Sequence, residues 1–575
     1  RDQPRSRGLG DVYKRQVQEF VIQTEEEAEE TVRVIVKDLL SGSRPLSERQ
    51  YTLVLTFIRD HLENIPDIVS KNTCVSLLID TKNLSLADSL NLSDVMKIVD
   101  ELNYRYYHND NPKKLNLKNQ DRKFLTALLD RMFRGDRCDI CTCYEKKQLW
   151  NGFLHHIHYQ PKNEEAEIFV HAMRTKGNES VYSEFEKLMQ ENRCQQAAEL
   201  LREKKGTSAL LRNMDYIISR MDREDEQTFL SEFPEDCSTL ILLQLLFRYE
   251  GVQRKDERIF KFTQHNLMKV HYETPEESKK CQSRLTEEQV KEIGKMIRSK
   301  LSEKLRNRLG KVYIEPSMKN YTLPLAENTS QGGLGVLSKG SRIPIDEGKK
   351  LRAFTYWEKV NDIDLSVFAL TEDGNRREFS WRTMSRHQSG AITYSGDQTS
   401  GYLGGSEYFD INLPEFKAQY SEYRYLIFCD NVYSGKNFNE CFCKAGYMLR
   451  DWDDSGQVYE PKTVKSAYLV NCESTFAYLF GIDLFTNEFV WLNVAKNSKS
   501  RVAGDTNLSF LTDYFHLTDV MNMYDFFSMM AEKIVEDPME ADVVVTDHEV
   551  KCTEEAQIIR EYDFEKIRML MEDAK

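Results

Sequence analysis

From about residue 17 to 309, apolar residues recur three and four apart with few alternating β-branched runs, the spacing that lays a stripe along one face of a helix. The clearest case is LTEEQVKEIGKMIRSKLSEKLRNRLG, where Val290, Ile293, Ile297, Leu301 and Leu305 form a single stripe. Thr286 and Gln289 stand in capping-box spacing at its start, and Gly310 offers permissive backbone at its end. Shorter helices are predicted over 121–133, 181–189, 195–203 and 209–221. Their short polar links predict antiparallel helix pairs stacked as an irregular solenoid, without a clean repeat period. From 351 to 494 the period becomes two. In DIDLSVFAL, Ile363, Leu365, Val367 and Ala369 point one way and Asp362, Asp364, Ser366 and Phe368 the other, as in a strand with one buried face. Further strands are predicted over 391–394, 409–413, 423–429, 447–450 and 466–470, with a hairpin over 476–494 turning at Thr486-Asn487. Many short strands separated by turn signals predict a sandwich. After Ser500 helix returns, notably over 517–535.

The expected fold is therefore α+β and multidomain: an all-α helical-pair region over 17–310 with a break near 160–180, a linker and leading strand over 311–350, a β-sandwich over 351–500, and C-terminal helices with an acidic tail over 501–575. A chain of 575 residues is too long for one hydrophobic core, which agrees with that division. Residues 1–16 are set aside, because the stretch RSRGLGDVYKRQ reads as translated adapter sequence. The longest apolar-rich run, over 240–247, is far short of a bilayer span, so no integral membrane segment is expected. A formal charge of -14 would repel a phosphate backbone, which argues against nucleic acid as a ligand and in favour of divalent cations. Twelve cysteines without a regular framework fit reduced thiols, hence a cytoplasmic location.

Candidate chemistry sits mainly in two segments, Asp362-Ile363-Asp364-Leu365 and Ser395-Gly396-Asp397-Gln398-Thr399-Ser400-Gly401, the second followed by Gly404-Gly405-Ser406-Glu407. Carboxylates two residues apart on a strand share one face at roughly 7 Å, close enough to share a hard cation if a loop closes over them. A glycine-rich loop carrying Asp397 and Glu407 would bring further oxygens. Spacing alone also fits a carboxylate pair standing in solvent beside an unrelated turn. A second constellation joins Cys138, Cys141 and Cys143 to His155, His156 and His158; Cys138, Cys141, His155 and His158 have the ligand types zinc prefers. Histidines hydrogen-bonded in a core beside incidental thiols account for the same residues. DWDDSG (451–456) opens like a calcium loop, but its twelfth position is Lys462, where a bidentate glutamate is required, so a hairpin turn is the reading. GGLGVLSKG has the wrong residue order for a phosphate loop. The sequence carries no G-x-S-x-G elbow and no Cys/His setting for nucleophilic catalysis.

The segments FTYWEKVNDIDLSVFAL and YSGDQTSGYLGGSEYFDINLPEF, with Tyr425 to Phe428 and the Gly435-Lys436-Asn437-Phe438 turn downstream, resemble the TerD family of tellurium-resistance and stress-response proteins. That family carries a D-L-D-L strand, a G-D-N-x-x-G loop and a G-D-D-E segment entering the next strand. The resemblance covers about 351–494. It implies a calcium-binding β-sandwich with ligands at Asp362, Asp364, Asp397 and Glu407, in a bacterial stress-response protein that acts as a sensor or scaffold for partner proteins, other family members among them. Two departures, Ser406 for an acidic residue and Gln398 for an asparagine, imply weaker binding or one ion instead of two. A metal-dependent phosphoester or nucleotide hydrolase and a structural adaptor with an empty site are the alternative expectations.

Overall fold

The computed structural model describes residues 24–41, 46, 48–61, 65–108, 114–133, 140–175, 180–251, 259–264, 267–272, 276–277, 285–325, 333–334, 337–384, 390–433, 436–452, 461–470, 474–496 and 508–571. The chain divides into two compact units, residues 21–241 with 282–296, and residues 242–281 with 297–571.

The first unit is helical. Its helices include Glu25–Ser41, Lys71–Thr81, Val95–Tyr107, Asn119–Met132, Lys147–His156 and Glu164–Arg174, around a core containing Leu78, Leu102, Leu125, Phe153 and Phe169. The helices Val181–Gln190, Cys194–Lys205, Thr207–Arg212 and Met214–Ile218 share a second core around Phe185, Met189, Leu201 and Ile217. Side-chain caps fix several starts: Asn163 Oδ1 accepts from the Ala166 N–H at 2.9 Å, and Asp222 Oδ1 from the Asp225 N–H at 2.9 Å. The capping box at Thr286 is formed, with Gln289 Oε1 accepting from the Thr286 N–H at 2.9 Å and Thr286 Oγ1 from the Gln289 N–H at 3.2 Å. In the helix Glu287–Leu305 that follows, Ile293, Ile297, Leu301 and Leu305 are buried. It ends before the expected Gly310: Asn307 supplies the left-handed residue at φ 58°. Gly310 instead lies within a strand, where a Cβ would strike the Asp542 carboxylate.

Two departures from the helical expectation concern the second unit. Within 17–310, β1 (Ile259–Gln264) and β2 (Leu267–Tyr272) form an antiparallel hairpin, matching the alternation in IFKFTQ and LMKVHY. β3 (Leu309–Ile314) does not lead into the sandwich. It is one of the two inner strands of a parallel sheet ordered β16-β3-β17-β18, with β16 (Ala531–Ile534), β17 (Val543–Val545) and β18 (Gln557–Ile559). The sandwich is thus inserted between two adjacent strands of one parallel sheet. The expected helix over 517–535 is broken accordingly into Leu517–Val520 and Met523–Met530. Asn522 caps the second of these through the Asp525 N–H at 2.9 Å, and residues 531–534 are taken up as β16 beside β3. A helix at Phe564–Met571 closes the described chain.

The sandwich consists of two six-stranded antiparallel sheets. One is ordered β4-β13-β12-β6-β10-β9, comprising β4 (Gly333–Leu334), β6 (Lys350–Glu358), β9 (Ile392–Tyr394), β10 (Gly405–Ile411), β12 (Phe442–Arg450) and β13 (Val464–Leu469). The other is ordered β5-β15-β14-β11-β7-β8, comprising β5 (Arg342–Pro344), β7 (Ile363–Leu370), β8 (Arg376–Phe379), β11 (Tyr425–Val432), β14 (Phe476–Asp483) and β15 (Glu488–Lys496). The inner faces meet in a core of Leu351, Trp357, Leu365, Phe409, Phe428, Phe480 and Trp491. The expected hairpin turn is present, with Asn487 at φ 56°. β7 is not half-buried as its alternation predicts. Phe368 and Leu370, on its other face, pack with Leu508, Leu511 and Phe515, so a segment beyond the sandwich covers that sheet from outside. The Asp453–Gly456 part of the DWDDSG motif lies outside the described residues.

Candidate metal centre

One end of the sandwich gathers the loops 359–362 and 395–404 with residues 433 and 436–441. β10 meets β6 at Gly405 opposite Trp357, β12 meets β6 at Phe442 opposite Glu358, and β7 meets β11 at Ile363 opposite Val432. Asp362, Asp364, Asp397 and Glu407 converge there, each with one carboxylate oxygen within 4.8 Å of the others. All four acidic residues expected from the sequence are therefore brought together. Asp362, Asp364 and Glu407 are buried, and Asp397 faces solvent.

Each is placed by identifiable backbone. β8 pairs with β7 only from Val367 onward, and beyond that point the N–H of Leu365 is taken by Glu407 Oε2, reaching from the opposite sheet, at 2.8 Å. Glu407 Oε1 accepts from the Gln398 N–H at 3.1 Å, so one carboxylate ties strand to loop. Gln398 Oε1 accepts from the Ser406 N–H at 2.9 Å: the long amide latches the loop to β10. Ser406 alternates with Glu407 along β10 and so projects from the opposite face. The loop folds tightly because Gly401 and Gly405 lie against the Trp357 indole, where a Cβ on either would collide, and because Gly396 holds φ 98° and Gly404 φ 140°. The Gly401 N–H donates to Asn361 O at 2.7 Å and the Lys359 N–H to Tyr402 O at 2.9 Å.

The electrostatics follow from this burial. Burial, reinforced by Asp362 and Asp397, pushes the Asp364 carboxyl up to about 7, while a hydrogen bond from Asn431 opposes it. Glu407 is also pushed up to about 7, burial outweighing the bond from the Leu365 N–H. Burial and then Asp397 bring Asp362 to about 6. Among the described residues no lysine, arginine or histidine forms an ion pair with any of the four, and the buried Asp362 Oδ1 has no hydrogen-bond donor. Clustered carboxylates withdrawn from water without a protein countercharge are costly, and they suit a hard divalent ion with oxygen ligands.

The sequence reading missed Asp430. It is fully buried on β11, with both carboxylate oxygens accepting from Thr355 Oγ1 of the opposite sheet, at 2.8 and 2.9 Å. Burial raises its carboxyl well above the usual range, and Glu407 and Asp364 add to the shift. A charged residue inside the apolar run Tyr425–Val432 was the available signal. A second polar cluster, at the carboxyl ends of β3 and β17, was equally unanticipated: Tyr321 Oη donates to Asp547 Oδ2 at 3.0 Å, and His548 lies between Asp547 at 2.9 Å and Glu315 at 3.7 Å.

Of the zinc candidates, His155 and His158 are both exposed, with ring centroids 6.1 Å apart. Cys138 and the side chain of Cys141 lie outside the described residues. Cys143 is buried. Among the described residues no helix is long and apolar enough to cross a membrane. Comparison of the chain with protein-family models, with curated proteins and with solved structures finds no match in any of the three.

Proposed function

We propose that the sandwich binds one calcium ion through Asp362, Asp364, Asp397 and Glu407, and that the chain works as a cation-responsive stress protein of the TerD type. The observation that carries this reading is the convergence of four carboxylates, three of them buried, without a basic partner among the described residues. Calcium takes six to eight oxygens, so these four side chains leave positions for solvent or a ligand on the open Asp397 side. The 406 position faces away from the cluster, which favours one ion over two. Binding would join the start of β7, the 395–404 loop and β10 into one rigid end, fixing the surface that the loop presents. Other TerD-type sandwiches in the cytoplasm are the protein partners that the resemblance suggests.

Thermal melting of the full chain with and without calcium tests the proposal. A rise in melting temperature in the wild type that is lost in Asp397→Asn supports it. No shift in either would leave the adaptor reading, with the site empty.

A further inference from the structure

In chain order β3 is the first strand of its parallel sheet, β16 the second, β17 the third and β18 the fourth, so the spatial order β16-β3-β17-β18 runs second, first, third, fourth. The chain leaves β3 for a neighbour on one side and β17 for a neighbour on the other, and its connections part between these two strands. In open parallel sheets ligands lie outside the carboxyl ends of the strands at such a parting, because the diverging connections leave a crevice there. The residues that follow the strands at this place are polar and charged: Glu315 after β3, Thr546-Asp547-His548 after β17 and Arg560-Glu561 after β18.

These side chains form one cluster. Asp547 accepts from His548 Nδ1 at 2.9 Å through Oδ1 and from Tyr321 Oη at 3.0 Å through Oδ2. A carboxylate only accepts, so the imidazole donates through Nδ1 and its Nε2 is turned toward Glu315 Oε2, at 3.7 Å, beyond hydrogen-bond reach. Tyr313 Oη donates to that same Glu315 oxygen at 2.7 Å. Burial would raise the Asp547 carboxyl, but the bonds from His548 and Tyr321 hold it below the usual range. Glu561 behaves in the opposite way: burial, reinforced by Asp547, pushes it up to about 7. Its Oε2 is shut off from solvent and has no hydrogen-bond donor. Among the described residues no lysine or arginine is ion-paired with Glu315, Asp547 or Glu561.

We propose that the crevice between β3 and β17 is a second ligand site, which takes a small organic cation whose ammonium or guanidinium group donates to Glu561, Asp547 and Glu315. The inference is independent of the cation site in the sandwich. Charge selects the class of ligand. Glu315, Asp547, Glu549, Glu561 and Asp563 outnumber Lys319, Arg560 and Lys566 on the segments that surround the crevice, so the place stays net negative even with Glu561 protonated. None of the segments 315–321, 546–550 and 560–563 contains a glycine, and no glycine-rich cradle for a phosphate is formed there. A cationic N–H group supplies both the donor that the buried Glu561 oxygen lacks and the charge that lets it ionise.

The test is calorimetric titration of agmatine and of spermidine into the full chain, in wild type, Glu561→Gln and Asp547→Asn, with inorganic phosphate and ADP titrated alongside and melting curves recorded for each protein. The expected result is saturable binding of about one amine per chain, weakened at least about tenfold in both variants. Glu561→Gln, which keeps the shape of the side chain, decides the matter should Asp547→Asn fail to melt cooperatively. Amine binding at full strength in a folded Glu561→Gln places the ligand elsewhere and overturns the inference. Saturable binding of phosphate or ADP in place of the amines also overturns it, by giving the crevice to an anion. So does the absence of saturable heat with either amine at about 10 mM.

Discussion

Asp364 and Glu407 ionise reluctantly because the fold has taken them out of water before supplying a countercharge. Their folded values, about 7 for each, lie above the ordinary 3.8 and 4.5, so between those limits the folded chain holds more protons than the unfolded one. Without metal, the stability these groups contribute is present at acid pH, is lost as pH rises through that window, and is level above it. Bound calcium would reverse the preference. Calcium binding near pH 6 should expel protons, and above about pH 8 should expel almost none; calorimetry in buffers of different ionisation enthalpy reads the difference, and identical heats near pH 6 would count against it. Asp364→Asn should raise the stability of the metal-free chain at neutral pH by about 1 kcal/mol or more, measured by urea denaturation, while removing the calcium effect. The four clustered carboxylates were legible in the sequence through the resemblance of their motifs, since spacing alone also fitted a pair standing in solvent. Asp430 and Thr355 were not, since they are 75 residues apart and meet only when the two sheets pack.

Glycine, caps and buried aromatics set the limits of the elements. Gly405→Val would force a side chain into the Trp357 indole and should cost about 2–3 kcal/mol together with at least a tenfold loss of calcium affinity, read by denaturation and titration. A variant that binds calcium normally would show that the tight loop is not required. Phe515 is fully buried against the outer face of the β7 sheet, its ring tilted against that of Tyr425 with centroids 4.6 Å apart, and Phe515→Ala should cost about 3–5 kcal/mol although it lies outside the sandwich strands. Thr286→Ala should cost about 1 kcal/mol by opening the capping box. Helices and strands with sustained periodicity were readable: 181–189 became Val181–Gln190, and 466–470 became Val464–Leu469, two residues longer at its start and one shorter at its end. The parallel sheet was not. β3 and the other three strands of its sheet are separated by the whole sandwich, and strands of three to six residues carry too little period to distinguish them from helix ends or linkers.

A chain with two compact units, each with its own buried core, should unfold in two steps, and only the unit that holds the sandwich should respond to calcium. At a hundredfold excess over the dissociation constant that response is about 2.7 kcal/mol, so scanning calorimetry should show one transition moving upward and the other unmoved. The division into helices followed by a sandwich was legible because the hydrophobic period changes after Gly310; the return of the chain to β3 was not, because pairing between distant segments leaves no local mark. The proposed function rests on one cation that Asp362, Asp364, Asp397 and Glu407 would hold. Isothermal titration of calcium into the full chain near neutral pH tests that most directly. A saturable heat with about one ion per chain, weakened at least about a hundredfold in Asp364→Asn, is the result expected. A wild-type chain with both unfolding transitions intact that gives no saturable heat in millimolar calcium would contradict it.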